Sequence, residues 1–396
     1  MKGRAVSGFR RLGMAWIIFV LCLCLQVQVF AGAEENLAHF SFRVLQKVMS
    51  QEEEDKNILI STDSILMALA MVKAGAAGDT LSQLKAALGG EEMDQFLSSL
   101  HRNLTYSESA TYKTANSLWY KKGVSIKKSY KKKVKASYGA EVKEAAFDQS
   151  TVKKVNAWVK KNTEGMIPSI LDHLDAKTRV MLINTVCFKA NWREPYHKTY
   201  KRIFTKENGQ KKRVKMVESQ EDQVLFLGGG IGYCKYYKDC NIVFVGILPP
   251  QGCSLQQYLQ GITGEDFLAA YQARRGDGRD LIIKTRMPLF SCDYEVSLKD
   301  ILKKLGISSA FSKKANFSRM SKDELGLDAV YHKTHIKMTK EGTEAAAVTE
   351  LPMYPMGGAI IEPEIWEVYL DRPFLYAIVE ENTGFPLFLG VVRSMG

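Results

Sequence analysis

The spacing of apolar residues changes several times along this chain, and each change marks an expected element. Residues 34–50 place Phe40, Phe42, Val44, Leu45 and Val48 in a helical pattern. Residues 64–74 (Ser-Ile-Leu-Met-Ala-Leu-Ala-Met-Val-Lys-Ala) are apolar nearly all round, as a buried helix requires. Asp79 or Thr80 caps a further helix ending at Gly89-Gly90. From Ser125 to Val142, Ile126, Tyr130, Val134 and Tyr138 recur every four residues and predict an amphipathic helix. Helices are also expected over 254–273 and 296–305. Residues 114–120 read as a strand, and 179–192 as a long buried strand interrupted by Asn184. Strands dominate after residue 212, over 223–227, 242–248, 281–290, 329–338, 366–370, 374–380 and 386–392. Helices early and strands late predict an α+β fold.

The N-terminus stands outside this pattern. Lys2, Arg4, Arg10 and Arg11 precede an apolar run from Ala15 to Leu25, too short to span a bilayer comfortably. Ala31-Gly32-Ala33 follows as a small-residue cleavage site, with Ala31 as a second candidate. Residues 1–33 are therefore read as a secretory signal peptide. Its loss removes four basic and no acidic residues and lowers the formal net charge from +12 to +8. The expected product is secreted and extracellular, without a membrane span. With no Pro/Gly/Ser linker and no internal repeat, residues 34–396 are expected to form one domain. Five cysteines survive processing (Cys187, Cys234, Cys240, Cys253 and Cys292), so at least one thiol must be free or intermolecular. Cys187 lies in an apolar run and is expected to be buried. Asn103-Leu-Thr105 and Asn316-Phe-Ser318 are glycosylation sequons.

Candidate catalytic chemistry is sparse. His332 and His335 lack the intervening Glu of a zinc protease motif and sit in a strand, and the cysteine spacings fit no zinc site. Gly228-Gly-Gly-Ile-Gly232 reads as a hairpin turn, and Arg275-Gly-Asp277 as a polar turn more than as an adhesion tripeptide. No Gly-x-Ser-x-Gly elbow is present. No catalytic constellation, metal, nucleic-acid or membrane partner is expected.

The unusual segment is 341–362. From Thr343 to Thr349 the odd positions are Thr343, Ala345, Ala347 and Thr349, all small and uncharged, whereas Glu344 and Glu350 fall on the even positions. In an extended chain these sets point to opposite faces. Gly342 supplies a hinge. Beyond Glu350 come prolines, methionines and glycines, the composition of an exposed loop.

Several ordered motifs resemble the serpins across almost the whole processed chain. They include Asn156-Ala-Trp-Val with Thr163-Glu-Gly165-Met-Ile, Asn184-Thr-Val-Cys-Phe188-Lys-Ala-Asn-Trp192, and residues 294–307 (Tyr-Glu-Val-Ser-Leu-Lys-Asp-Ile-Leu-Lys-Lys-Leu-Gly-Ile). Residues 368–378 (Val-Tyr-Leu-Asp-Arg-Pro-Phe-Leu-Tyr-Ala-Ile) and 383–390 resemble the family's C-terminal signature. The resemblance implies three β-sheets, about nine helices and an exposed reactive loop over about 341–364. It also implies a monomer that traps a serine protease as an acyl-enzyme while the cleaved loop enters the central sheet, a strand addition that releases stored strain. Gly342, Thr343, Glu344, Ala345, Ala346 and Ala347 match the hinge of inhibitory members. By the same resemblance Ser61, Ser64, Asn184 and His332 belong to the shutter that opens the sheet, and Trp192 to the breach where insertion starts. An Asn or His in such a strand is otherwise an ordinary satisfied core group.

Counting along the family's loop puts the scissile bond at Met356-Gly357, with Met353-Tyr354 as the alternative. Counting back from Phe374 lands nearer Glu362, because the segment after Met356 is longer than the family's. No Lys or Arg lies between Thr343 and Glu364, so the expected target is elastase- or chymotrypsin-like rather than trypsin-like. Two basic runs remain: Lys127, Lys128, Lys131, Lys132, Lys133 and Lys135, and then Lys198, Lys201, Arg202, Lys206, Lys211, Lys212, Arg213 and Lys215. They are solvated faces or a site for a heparin-like glycosaminoglycan. The competing readings are a non-inhibitory serpin (carrier, storage or signalling precursor) and a heparin- or matrix-binding serpin.

Overall fold

The computed structural model describes residues 32–104, 110–175, 177–276, 281–343 and 364–395. Among them are nine α-helices and three β-sheets. The fold is α+β, as its pattern of elements predicts.

The seven-stranded sheet runs in the order β1 (Ile58–Ile60), β17 (Pro386–Val392), β16 (Phe374–Glu380), β9 (Ile242–Leu248), β8 (Gly230–Tyr236), β7 (Gln223–Leu227) and β10 (Arg275–Gly276). Its middle strands β9, β16 and β17 are covered on both faces, which explains why they are apolar runs rather than alternating ones. The single charge among them, Glu380, accepts hydrogen bonds from Asn241 and Asn382 (both 2.8 Å) and from Thr383 (2.9 Å). Between β7 and β8, Gly228 and Gly229 both have positive φ (52° and 78°), the two-residue hairpin turn expected there.

The four-stranded sheet has the order β15 (Glu364–Tyr369), β11 (Leu281–Pro288), β6 (Lys211–Glu221) and β5 (Thr199–Thr205). The central sheet has the order β12 (Ser291–Ser297), β13 (Ala329–Lys337), β4 (Val180–Asn191), β2 (Thr111–Lys121) and β3 (Glu141–Ala145). A sixth short strand, β14 (Gly342–Thr343), pairs with β4. Helix α1 covers residues 32–49. Helix α2 (Thr62–Gly75) is buried along almost its whole length, with Ser61 as its N-cap accepting from Ser64 N. After it come α3 (Gly78–Leu88), α4 (Glu91–Asn103), α5 (Lys128–Tyr138) and α6 (Gln149–Asn162), then α7 (Leu255–Gln260), α8 (Gly264–Gln272) and α9 (Lys299–Lys304). No described helix is long and apolar enough to cross a membrane.

Three expected elements change shape. The helix expected over 125–142 is α5 alone. Gly139 turns left-handed (φ 59°) and the chain continues as β3, parallel to β2. The helix expected over 254–273 is two helices, because Ser254/Gln257 and Thr263/Asp266 each form a capping box and restart the backbone hydrogen bonding. The helix expected from 296 begins only at Lys299, since Val296 and Ser297 still pair with β13. Arg275 and Gly276 likewise pair with Val224 and Gln223 rather than forming a turn, while Asp277 lies outside the described residues.

Candidate functional site

Of the two parallel ladders in the central sheet, β13–β4 and β2–β3, the first stops short of the end of β4. Strands β13 and β4 pair from Ala329↔Met181 to Thr334↔Val186, and β4 then runs on to Asn191. On that same edge β14 docks antiparallel, Gly342 opposite Asn191 and Thr343 opposite Ala190. The turn leading into it is closed by Thr339, whose N–H donates to Gly342 O at 2.8 Å while its hydroxyl accepts from Gly342 N at 3.2 Å. Two backbone bonds fix it to the end of β4: Trp192 N to Glu341 O (2.9 Å) and Tyr196 N to Lys340 O (2.8 Å).

Thr343 is fully buried, with its hydroxyl 2.7 Å from Tyr237 Oη. Gly342 is required by close approach: a Cβ there would lie 2.6 Å from Asn191 Cα and closer still to the Ala190 carbonyl oxygen. Gly342→Val should therefore expel the hinge from β4. The Trp192 N–H, left without its Glu341 acceptor, should exchange with solvent about tenfold faster or more. Unchanged protection of that amide would refute this account of the seat.

Trp192 fills the space beneath the hinge. It is wholly buried and stacks on Tyr237 (centroids 4.4 Å apart, planes 16°). It also meets Phe244 and Tyr196 edge-on, and its Nε1 donates to Thr339 O at 3.2 Å. Beside it Lys235, 3% exposed at its side chain, pairs with Glu221 at 2.6 Å and lies over the Tyr196 ring at 4.4 Å. Burial pushes the Glu221 carboxyl up, and Lys235 opposes that shift. This ion pair joins β8 to β6, so it braces the sheet junction under the hinge.

Midway along the same ladder sits a polar row. Asn116, Asn184 and His332 occupy one register across β2, β4 and β13. Ser61 N–H can only donate, so His332 Nε2 (3.1 Å) accepts and Nδ1 carries the proton. That proton goes to Asn184 Oδ1 at 2.7 Å. Asn184 Nδ2 then donates to Ser64 O (2.8 Å) and to Asn116 Oδ1 (2.6 Å). Burial drives the His332 imidazole down to about 3, so it is neutral at ordinary pH. Ser61 Oγ donates to Leu387 O (3.1 Å) and Thr334 Oγ1 to Leu59 O (2.8 Å), tying the ladder to the seven-stranded sheet. The structure thus brings together Ser61, Ser64, Asn184 and His332, although Ser64 contributes its carbonyl and its buried hydroxyl has no partner among the described residues.

Sequence reasoning did not single out Asn116, Tyr237 or the Lys235–Glu221 pair. Asn116 carried the same signal as Asn184, a lone amide in a strand. His332 and His335 lie on opposite faces of β13, and no group of three metal-ligating side chains occurs among the described residues. Asn103, at the end of α4, and Asn316 are both exposed. All five described cysteines are free thiols, Cys187 buried among them. Glu344, Ala345, Ala346, Ala347, Met353, Tyr354, Met356 and Gly357 lie outside the described residues.

A family model described as Serpin (serine protease inhibitor) matches residues 35–395. Neuroserpin of Gallus gallus is 30% identical over 386 residues, covering 91% of both chains. Among solved structures, the thermophilic serpin tengpin in its native state superposes with a TM-score of 0.83 at 33% identity, covering 91% of this chain and 94% of its own. Human thyroxine-binding globulin shares the fold at a TM-score of 0.82 and 24% identity, over 92% and 99% of the two chains. With a family model matched over nearly its whole length, three sheets, and Gly342–Thr343 seated beyond the end of the β13–β4 ladder, this chain belongs to the serpin family.

Proposed function

We propose that this protein is a secreted inhibitor of a chymotrypsin- or elastase-like serine protease. It would act once per molecule by loop cleavage and insertion into the central sheet, with no cofactor and no catalysis of its own. The observation that carries this reading is the antiparallel seating of Gly342 and Thr343 on β4, beyond the end of the β4–β13 ladder. Continuing that register down the twelve residues of β4 brings Glu344 opposite Lys189, Ala345 opposite Phe188, Ala347 opposite Val186 and Thr349 opposite Asn184. Val186, Phe188 and Ala190 belong to the main core, whereas Met181 and Ile183 pack in the second core under α6. The small odd-numbered residues would therefore enter the main core, with Glu344 and Glu350 on the other face.

Insertion requires the six-pair parallel ladder to part. It would be replaced by two antiparallel ladders, in which pairing is somewhat stronger per residue. Incubation with elastase, chymotrypsin and trypsin tests the proposal. An SDS-stable complex with one of the first two is expected, and mass spectrometry of the released C-terminal peptide should begin at Gly357. A peptide starting at Tyr354 would move the bond to Met353-Tyr354. Clean cleavage without a complex would instead favour a non-inhibitory carrier, storage or precursor role. The secreted polypeptide should begin at Glu34.

Heparin-like polyanions are a further proposed partner. On one face of the β5–β6 hairpin, Lys201 stands directly opposite Lys215, followed by Arg213 opposite Ile203 and Lys211 opposite Thr205, all four cations exposed. Like charges placed directly across a ladder repel. This arrangement gains from a bound polyanion. Retention on heparin beyond physiological salt is expected, and it should fall when Lys201, Arg213 and Lys215 are changed to Gln. Elution at or below physiological salt would end this proposal.

A further inference from the structure

We infer that Asp63, His101 and Tyr112 form a proton-operated latch, holding the β2–β4 side of the central sheet to the inner helix and setting how readily the sheet opens. The inference rests on the insertion reading above. Asp63 is wholly buried in the first turn of α2. Its carboxylate joins three elements: Oδ1 lies 2.9 Å from His101 Nε2 of α4, and Oδ2 accepts from Tyr112 Oη of β2 at 2.6 Å. Tyr112 pairs with Phe188 of β4, and its ring meets Phe188 and Phe388 edge-on. Admitting a strand between β13 and β4 must separate them by about another 4.8 Å. Strand β13 is held to the start of α2 through His332 and Ser61, whereas β2 is held to the same turn through Tyr112 and Asp63. Sliding β2 and β4 away from β13 therefore pulls on the Asp63 contacts.

His101 can exchange protons with solvent although Asp63 cannot. Its side chain is 28% exposed and borders an open cavity of about 300 Å³, lined among the described residues by Leu104, Tyr112, Lys113, Thr114 and Asn162. The charged groups facing this cavity largely answer one another. Lys113 of β2 reaches Glu164, beyond α6, at 2.5 Å, and the other Glu164 oxygen lies 3.9 Å from Lys189 of β4. Helix α6 contributes only the neutral Asn162, and Arg102 on α4 itself is exposed. Asp63 is thus the acid in direct contact with the ring. Its charge holds the imidazolium above the usual histidine range, against the burial that opposes it. The latch is consequently strongest below the ordinary histidine pKa and weakens as pH rises through the raised one.

The test measures annealing of a synthetic peptide with the sequence 343–354 into the intact protein at pH 6.0 and 8.5. Denaturant midpoints of wild type, His101→Gln and Asp63→Asn are recorded alongside. Wild type is expected to anneal about fivefold faster or more at pH 8.5, the lower end of ordinary coupling between sites. Both variants should anneal at the fast rate at either pH, and the stability gap between wild type and His101→Gln should shrink from pH 6.0 to 8.5. A wild-type rate equal at both pH values, or a His101→Gln variant that keeps the slope, would overturn the latch. The wild-type comparison alone decides if neither variant folds. Peptide that anneals at no pH would overturn the insertion reading and, with it, the coupling of the latch to the sheet. A constant stability gap would separately overturn the titration of the pair.

Discussion

By the insertion mechanism proposed above, Thr343→Arg should turn the protein from an inhibitor into a substrate, raising the moles consumed per mole of protease inactivated from near one to about ten or more. The residue is wholly buried, bonded to Tyr237 at 2.7 Å, above the ring cluster of Phe188, Tyr237 and Trp192. Glu221, the buried acid of that sheet junction, is already paired with Lys235. An unpaired guanidinium in this site costs several kcal/mol, so the hinge stays outside. Inhibition is a race between insertion and hydrolysis of the acyl-enzyme. A barrier raised by only about 3 kcal/mol slows insertion more than a hundredfold, and hydrolysis wins. Titration against the target protease measures the effect, with cleaved inhibitor replacing the SDS-stable complex on gels. Thr343→Ser keeps the hydroxyl and should inhibit normally, whereas Thr343→Val loses the bonds to Tyr237 and to the Met338 sulfur, the first worth about 1 kcal/mol. Undiminished complex formation by Thr343→Arg would refute the assignment of the hinge.

Acidification should weaken the native state through His332. Its ring is neutral down to about pH 3 in the folded protein, against an ordinary value of 6.5. Between those values the unfolded chain binds the proton that the folded chain refuses. Stability is therefore complete above about pH 6.5 and falls as pH drops toward 3, by up to about 1.4 kcal/mol per unit and roughly 5 kcal/mol in all. The cause is geometric as well as dielectric, because a proton on Nε2 would face the Ser61 N–H that now donates to it. Glu34 works in the opposite direction, since burial raises its carboxyl to about 7 and makes the folded state the better proton acceptor between its ordinary value and that one. The difference in denaturant midpoint between wild type and His332→Gln isolates the histidine. That difference should change steeply between pH 6.5 and 4. A constant difference across that range would refute the buried neutral tautomer. His332 and His101 thus oppose one another, one loosening the sheet in acid and the other in alkali.

The architecture was legible where the pattern had a single physical cause. The all-round apolar run of α2 and the continuous hydrophobicity of β4, β9, β16 and β17 follow from burial on every side. Of the small odd-numbered residues from 343 to 349, Thr343 alone is described, and it is buried opposite Ala190 of the main core. Asn184 and His332 stood out as polar interruptions, but their meeting depends on the register of two strands far apart in sequence. Asn116 completes the row for the same reason. Strands β5 and β6 escaped notice because their lysines and arginines hide any alternation, the sheet being open to solvent on the face that carries Lys201 and Lys215. Nothing in the sequence around Lys235 or Glu221 sets them apart from the chain's other charges. Only the packing of β8 against β6 buries them together, and no local pattern encodes that contact. The break in the helix at Gly261 is encoded in the capping pairs Ser254/Gln257 and Thr263/Asp266, which reading 254–273 as one helix overlooks.

The order of the seven-stranded sheet also constrains how the protein is made. Strand β17 lies between β1 and β16, yet its partner β1 comes from residues 58–60, far earlier in the chain. Until residues 386–392 have left the ribosome, β1 lacks the strand it pairs with and the Leu387 carbonyl that receives the Ser61 hydroxyl is missing. Helix α2 and the central sheet must therefore wait, partly uncovered, for β17 to emerge. The nascent chain passes through this exposed stage with its hinge segment already synthesised, which makes the interval between synthesis of residue 343 and of residue 392 the period of greatest risk of misfolding. Truncation before Pro386 should leave that interval permanently open and yield no folded protein.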